Sequence, residues 1–149
     1  MATKTYQLDD RDWSIIDLLR SGTISNSAIA KELGVSEGMI RQRIKRLREL
    51  GILSLRGLIN PEILENRQIV MLGVNIAENR LLADKAEELS QLPEVLSVSI
   101  VSGRFDMLVE LMLDSHRGLV DFLTTELARV EGVTRTESFV TLKTYAKYV

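Results

Sequence analysis

A short segment of this chain, residues 36–51, is apolar on one side and basic on the other. At helical spacing, Ile40, Ile44 and Leu47 fall on a single stripe. Five of the eight residues at positions 41–48 are Lys or Arg, although the 149-residue chain has a net charge of −2. Such a helix can pack on a small domain and present its cations to phosphates. Any nucleic-acid binding by this slightly acidic protein must therefore be local.

Charge is divided unevenly along the chain. Residues 1–60 have 10 Lys or Arg and 7 Asp or Glu, so their net charge is +3, whereas residues 61–149 have a net charge of −5. This asymmetry suggests two modules with different partners. Ordinary variation of surface charge is the alternative explanation.

Composition excludes several kinds of site. Cysteine is absent and His116 is the single histidine, so the chain can form no disulfide, thiolate metal site or histidine metal cluster of its own. No apolar run reaches the roughly 18 residues of a membrane span, and the N-terminus has no apolar signal segment. We therefore expect a cytoplasmic protein that binds no membrane and uses no metal or cofactor.

Residues 1–60 are predicted to form a helix-turn-helix domain with a short wing. Caps and breaks divide them into three helices, which begin after residues 8–10, after Ser25 or Asn26, and after Ser36. Gly34 ends the second helix shortly before the Ser36 cap, which is the spacing of a helix-turn-helix. The wing is expected as a hairpin over residues 52–59.

Residues 68–149 are predicted to form a ferredoxin-like βαββαβ domain, so the fold class is α+β. A linker over residues 61–67 precedes it. Strands are expected over 69–77, 95–101, 107–113 and 133–145, with helices over 80–92 and from Asp114 or Ser115 to about Val130. This order gives an antiparallel sheet with two helices on one face. Apolar residues on both sides of the first and third strands favour a two-fold dimer through the other face.

The third helix has the candidate DNA-binding residues. The N-terminal part of a recognition helix enters the major groove, where Arg suits guanine and Gln suits adenine. The base-contacting candidates are Glu37, Met39, Arg41 and Gln42; the phosphate-contacting candidates are Lys45, Arg46 and Arg48; Arg43 lies between these groups, and Ser36 caps the helix. The alternatives are a solvated helix with salt bridges and a protein-binding surface.

A second candidate site is the turn at residues 102–106, between the second and third strands. Gly103 permits positive φ, and Asp106 can accept backbone N–H groups within the turn. From chemistry alone, the segment could equally be no more than a hairpin turn. His116, near the start of the following helix, is expected to be a surface residue.

Together these motifs resemble the Lrp/AsnC family, the feast/famine transcriptional regulators of bacteria and archaea. The resemblance covers essentially the whole chain. It rests on Leu8, Asp9, Asp12, Ile15 and Ile16 in the first helix, on Ala30, residues 33–36, Ile40, Arg43, Ile44, Leu47, Gly51 and Ile52 in the helix-turn-helix, on the turn at 102–106, and on residues 130–133 with Thr136 and Ser138.

The resemblance implies a sequence-specific DNA-binding regulator that responds to an amino acid or related effector bound between subunits. It implies that Gly103 and Arg104 hold the effector carboxylate, that Asp106 meets its ammonium group, and that Thr136 and Ser138 supply hydroxyl contacts; Phe105 completes this candidate set. It also implies homodimers that assemble into octamers on double-stranded DNA.

An enzyme is not expected. The single histidine allows no Ser-His-Asp set, and Gly103 stands alone rather than in a glycine-rich phosphate loop. The alternative function is an amino-acid-sensing module that binds another protein and does not bind DNA.

Overall fold

The chain forms two units, described by a computed structural model for residues 6–22, 25–114 and 117–149 without the side chain of Asn79. The units are Met1–Gly57 and Leu58–Val149. The segment predicted as a linker, residues 61–67, lies at the start of the second unit and contains a short 3₁₀ turn, Pro61–Ile63. The surface position predicted for His116 falls outside the described residues.

Three helices form the N-terminal unit, as predicted: α1 (Asp10–Arg20), α2 (Asn26–Leu33) and α3 (Glu37–Glu49). Each begins at a side-chain cap. Asp9 accepts from the backbone N–H of residue 12, and Ser25 and Ser36 accept from N–H groups in the first turns of α2 and α3. Gly34 ends α2 in the left-handed conformation, with φ of 64°.

The core of this unit is built from the apolar stripes of the three helices. Ile15, Ile29 and Ile40 are fully or almost fully buried, and Ile44 packs with them. Leu53 follows α3 and packs against the same cluster. The predicted stripe on α3 is therefore the face that attaches this helix to its unit.

The hairpin predicted over residues 52–59 is not formed, because the structure assigns neither strand nor helix between residues 53 and 60. Two contacts explain the difference. Leu53 is drawn onto the helical core, and Ile59 exchanges backbone hydrogen bonds of 2.9 and 3.0 Å with Val149 rather than with its own segment.

The second unit confirms the predicted βαββαβ order. Its elements are β1 (Arg67–Ile76), α4 (Leu82–Ser90), β2 (Val95–Ile100), β3 (Met107–Asp114), α5 (Gly118–Asp121) and β4 (Val133–Val140). The sheet is antiparallel, with the strand order β2-β3-β1-β4. The two central strands are therefore β1 and β3, as a split βαβ arrangement requires.

The two faces of the sheet differ in burial. Alternate residues of β1 and β3 are completely buried in one core with α4 and the segment after α5; among them are Leu72, Val74, Val109 and Leu111. The opposite side, called here the open face, has the intervening residues of these strands: Ile69, Met71, Gly73, Asn75, Leu108, Glu110 and Met112.

The last helix and the last strand differ from their predicted lengths. α5 begins at Gly118 without a side-chain cap, and a π turn (Phe122–Glu126) and a 3₁₀ turn (Leu127–Arg129) replace its expected continuation. Phe122 and Leu127 are both buried, and the i→i+5 spacing of a π turn brings residues five apart to one side. The cap predicted at Ser115 lies outside the described residues.

β4 ends at Val140 rather than at Tyr145 because the residues after Thr141 bond to the segment before β1: the N–H of Thr144 donates to Oε1 of Glu62 at 3.2 Å, and Val149 pairs with Ile59. Val140 pairs with Val70, and the N–H of Thr141 still donates to the carbonyl of Ile69 at 2.9 Å. Beyond that point, β1 offers only its first two residues and the chain leaves the sheet. Among the described residues, no helix is both long and apolar enough to cross a membrane.

Candidate nucleic-acid interface and effector site

α3 presents six of the predicted DNA-binding side chains to solvent. Glu37, Arg41, Gln42, Lys45, Arg46 and Arg48 are exposed, whereas the apolar stripe of the same helix is buried. The exposed side is therefore strongly cationic and accessible within this unit. Such a surface attracts phosphates and offers Arg and Gln side chains for hydrogen bonds to base edges.

Two ion pairs lie along this exposed side. Arg41 contacts the Glu37 carboxylate at 2.6 Å, and Lys45 lies 3.7 Å from that of Glu49. All four side chains are largely exposed, so these pairs contribute little to stability. A phosphate can replace either carboxylate at small cost, and the cations remain available to a polyanion.

Ser36 and Met39 make contacts within the N-terminal unit. The Ser36 hydroxyl accepts from the backbone N–H of Met39 at 3.3 Å, so this oxygen caps α3. The Met39 side chain is half-buried, and its sulfur lies 3.9 Å from Nη1 of Arg11. Both residues lie at the N-terminal end of α3, and their predicted contacts with DNA remain predictions.

Arg43 differs from the other cations of α3 because its charge is already paired. Its Nη1 atom lies 2.7 Å from Oδ1 of Asp12 and 2.7 Å from Oδ2 of Asp9. The arginine side chain is only 25% exposed. The structure thus separates Arg43 from the exposed basic side chains with which the sequence grouped it.

Sequence reasoning missed the role of Asp12 in this cluster. From sequence, Asp12 is only one of the residues that resemble the family's first helix, whereas the structure buries its side chain to 1% exposure. A usable signal was present. Asp12 falls on the buried side of α1 at helical spacing from Ile15 and Leu19, and a carboxylate on an apolar stripe requires a charged partner.

Hydrogen bonds within the cluster shift the pKa values of Asp9, Tyr6 and Arg43. The guanidinium of Arg43 holds the pKa of Asp9 below the usual range, and the N–H of Asp12 acts in the same direction. The hydrogen bond from Tyr6 to Asp12 raises the pKa of the tyrosine. The pKa of Arg43 is raised by its hydrogen bonds to Asp9 first and Asp12 second.

The candidate effector turn is braced against the end of β1 by Asp106. Its Oδ2 atom accepts from the N–H of Ile76 at 2.9 Å and from the amide of Asn75 at 3.4 Å. The N–H of Asp106 donates to the carbonyl of Val74 at 3.0 Å. Asp106 therefore ties the turn to β1 rather than accepting N–H groups within the turn, as its residue type had predicted, and its described side-chain hydrogen bonds all use Oδ2.

Arg104 and Phe105 lie over the open face of the sheet. The Phe105 ring is buried and covers Gly73, where an added Cβ would come within 2.6 Å of it. The ring meets Phe139 edge-on, with centroids 6.2 Å apart. The guanidinium of Arg104 stacks on Phe105 at 4.6 Å and forms an ion pair with Glu137.

Thr136 and Ser138 project from the other side of the sheet. They pair with Val74 and Leu72, whose side chains face the helices, whereas Phe105 lies over the open face. One protomer therefore does not bring all six predicted effector residues together.

Sequence profiles assign a family to each unit. Residues 8–54 match a winged helix-turn-helix DNA-binding domain. Residues 69–148, more than half of the chain, match the Lrp/AsnC ligand binding domain. The two matches occur in the order predicted from the motifs.

Related proteins that align with almost the whole chain agree with these domain matches. An uncharacterised HTH-type transcriptional regulator of Pyrococcus furiosus is 33% identical over 135 residues, which cover 89% of this chain and 90% of the relative. The leucine-responsive regulatory protein of Haemophilus influenzae is 32% identical over 142 residues, covering 91% and 84%.

Solved structures show the same architecture. The leucine response regulatory protein of Mycobacterium tuberculosis superimposes with a TM-score of 0.78 at 25% identity, covering 94% of this chain and 96% of that one. A feast or famine regulatory protein from M. tuberculosis, solved with L-methionine, gives a TM-score of 0.73 at 25% identity, covering 95% and 96%. The chain therefore belongs to the Lrp/AsnC family of transcriptional regulators.

Proposed function

We propose that this protein regulates transcription by inserting the exposed side of α3 into the major groove of DNA. The observation that carries the proposal is the division of α3 between a buried apolar stripe and an exposed basic side. Arg41 and Gln42, near the start of the helix, are assigned to base edges. Lys45, Arg46 and Arg48 are assigned to phosphates, which set position rather than sequence.

The regulator is proposed to act as a homodimer on a palindromic site. Two helix-turn-helix units related by a two-fold axis read half-sites separated by about 10 base pairs, or by a multiple of that distance. Assembly of dimers into octamers, as the family resemblance implies, would let several sites bind one particle. The proposed action is binding, and no residue is assigned a catalytic role.

The DNA assignment is tested by titration of a duplex selected from genomic fragments by the wild-type protein. The variant Arg41→Ala/Gln42→Ala/Lys45→Ala is expected to lose about tenfold or more in affinity, since each bidentate base contact contributes about 1–3 kcal/mol. Arg80→Ala/Arg129→Ala is the matched control, because it removes two exposed cations from the other unit. It should bind as the wild type does.

Salt dependence gives a second, independent readout of the same titration. Each phosphate contact contributes a slope of about −0.9 to log K against log salt concentration. Wild-type binding should weaken steeply with salt. Equal affinity for both variants, or no selection of DNA by the wild type, would favour the amino-acid-sensing module that binds another protein.

The effector is proposed to be an amino acid or a related small molecule. One family member of known structure was solved with L-methionine. In this chain the candidate turn offers backbone N–H groups at Gly103 and Arg104, and Asp106 is held in place beside them. The DNA selection, repeated with each of the twenty amino acids, tests this proposal. An effector should change affinity in the wild type and not in Asp106→Ala.

The open face of the sheet and the C-terminal segment are proposed to form the dimer interface. Leu142 is 95% exposed and Tyr145 is 82% exposed, and Phe139 on β4 is also accessible. Apolar side chains grouped on a surface in this way mark an interaction site. A second copy of the chain supplies the same apolar side chains across a two-fold axis.

A further inference from the structure

The N-terminal unit contains one buried charged side chain among its described residues, that of Asp12 on α1. Its two carboxylate oxygens have different partners. Oδ1 accepts from Nη1 of Arg43 on α3 at 2.7 Å, and Oδ2 accepts from the hydroxyl of Tyr6 at 2.7 Å and from the N–H of Asp9 at 3.2 Å. A buried carboxylate with partners on both oxygens has one orientation, so Asp12 is a fixed anchor.

The anchor connects three parts of the unit. Tyr6 precedes α1, Asp9 caps it, and Arg43 belongs to α3. Arg46, one turn further along α3, stacks its guanidinium on the Tyr6 ring at 4.5 Å. Two cations on the same side of α3 are thus held against the N-terminal end of α1.

This placement constrains how α3 can turn about its own axis. The apolar stripe of α3 attaches the helix by non-directional packing, which tolerates small rotations. The contact from Arg43 to Asp12 and Asp9 lies beside that stripe and has defined donor and acceptor positions. A rotation that turned Gln42 away from the groove would break these charge-assisted hydrogen bonds.

We propose that Asp12 and Arg43 are positioning residues for DNA recognition, and that Arg43 acts by fixing the rotation of α3 rather than by contacting DNA. This inference rests on the proposed function of α3. It reassigns Arg43 from the set predicted to contact DNA, and it gives Asp12 an effect on specificity although its side chain is almost inaccessible.

The sign of one substitution separates positioning from simple electrostatics. Asp12→Asn removes a negative charge from the DNA-binding unit, so electrostatics alone would tighten binding to the DNA polyanion. The proposal predicts the opposite, about a tenfold loss of affinity for the duplex selected by the wild type, because a charged hydrogen bond that fixes α3 is weakened. Affinity for a scrambled duplex of equal length should change much less.

Asp17→Asn is the matched control, because Asp17 is an exposed residue on the same helix. It makes the same change in charge and should leave the ratio of specific to non-specific affinity unaltered. Equal or tighter specific binding by Asp12→Asn, or the same loss in both variants, would overturn the proposal.

Arg43 is tested by the salt dependence of Arg43→Met. If Arg43 contacted a phosphate, this change would make the slope of log K against log salt about 0.9 shallower. The proposal predicts weaker specific binding with an unchanged slope. For Arg48→Met, the slope should become about 0.9 shallower, which corresponds to one phosphate contact. A shallower slope for Arg43→Met contradicts the positioning role.

A folding control keeps the result interpretable. Trp13, the single tryptophan of the chain, lies on α1 next to Asp12, so its fluorescence reports whether this unit is folded. If Asp12→Asn unfolds, Tyr6→Phe removes one hydroxyl from the same anchor and should lower specific affinity about twofold to fivefold. Unchanged specificity in folded Tyr6→Phe then counts against the proposal. Failure of the wild type to select any DNA instead contradicts the proposed function.

Discussion

At the scale of single residues, two contacts in the second unit depend on the residue type at one position. Gly73 in β1 has the Phe105 ring against its backbone, so the absence of a side chain is what admits the ring. Asp106 supplies the acceptor for the N–H of buried Ile76. Both interactions attach the 102–106 turn to the sheet.

Gly73→Ala is expected to destabilise the second unit by about 1–3 kcal/mol, because the new methyl group overlaps the Phe105 ring and forces it to move. Chemical denaturation followed by circular dichroism measures the change. Gly57→Ala is the control, since an added Cβ there meets no atom within 4 Å. A stability loss no larger in Gly73→Ala than in Gly57→Ala would contradict the described position of the ring.

Asp9 gives a prediction for pH. Its pKa is lowered in the folded state, so its contribution to stability is present above the ordinary value of 3.8 and is lost as the pH falls below it. The unfolding temperature of the wild type should therefore fall more steeply between pH 5 and about 3 than that of Asp9→Asn. Parallel curves for the two proteins would show that the contact with Arg43 does not favour the ionised form.

At the scale of elements, helix ends are easier to predict from the sequence than strand ends, because capping and helix-breaking residues mark them directly. Ser25, Ser36 and Gly34 mark helix ends through local hydrogen bonds and φ values, so residues a few positions apart determine them. The end of β4 depends instead on contacts near the start of β1, about 70 residues earlier in the chain. The missing hairpin and the π turn after α5 likewise reflect distant packing.

In the candidate site, too, features set by local sequence are predictable and features set by distant contacts are not. The exposed cations of α3 follow from helical periodicity within 13 residues. The pairing of Arg43 with Asp9 and Asp12 joins residues more than 30 positions apart, and no local pattern specifies it. The separation of Thr136 from Phe105 across the sheet likewise depends on strand register.

Two glycines of the helix-turn-helix should respond oppositely to the same substitution. Gly38 lies in the first turn of α3 with space for a Cβ, so Gly38→Ala should raise the free energy of unfolding by about 0.5–1 kcal/mol. Gly34 has φ of +64°, so Gly34→Ala should lower the free energy of unfolding by about 1 kcal/mol or more. Thermal unfolding of both variants checks the pair. Changes of the same sign would contradict the described helix boundaries.

At the scale of the whole molecule, the two units divide the proposed function. The basic side of α3 belongs to Met1–Gly57, and the exposed apolar side chains of the C-terminal segment belong to Leu58–Val149. This division agrees with the charge asymmetry of the sequence. An amino acid can regulate DNA binding only if it binds two states of the assembly with unequal affinity.

Self-association should depend on the exposed C-terminal side chains. Leu142→Asp/Tyr145→Asp is expected to dissociate the dimer, measured by sedimentation velocity, because two charges per subunit would enter an apolar interface. Val120→Asp is the control, since Val120 is an exposed apolar residue on α5. Retention of the dimer in the double variant would place the interface elsewhere.

If α3 reads DNA sequence through side chains on its exposed side, in vitro selection from a random duplex library will reveal which base pairs those side chains specify. Wild-type protein and Gln42→Ala should select the same palindrome, except that the variant loses its preference at one symmetric pair of positions. Arg48→Ala, a phosphate-contact control, should keep every preference at lower affinity. An unchanged preference in Gln42→Ala together with unchanged affinity would show that this side of α3 does not read the sequence.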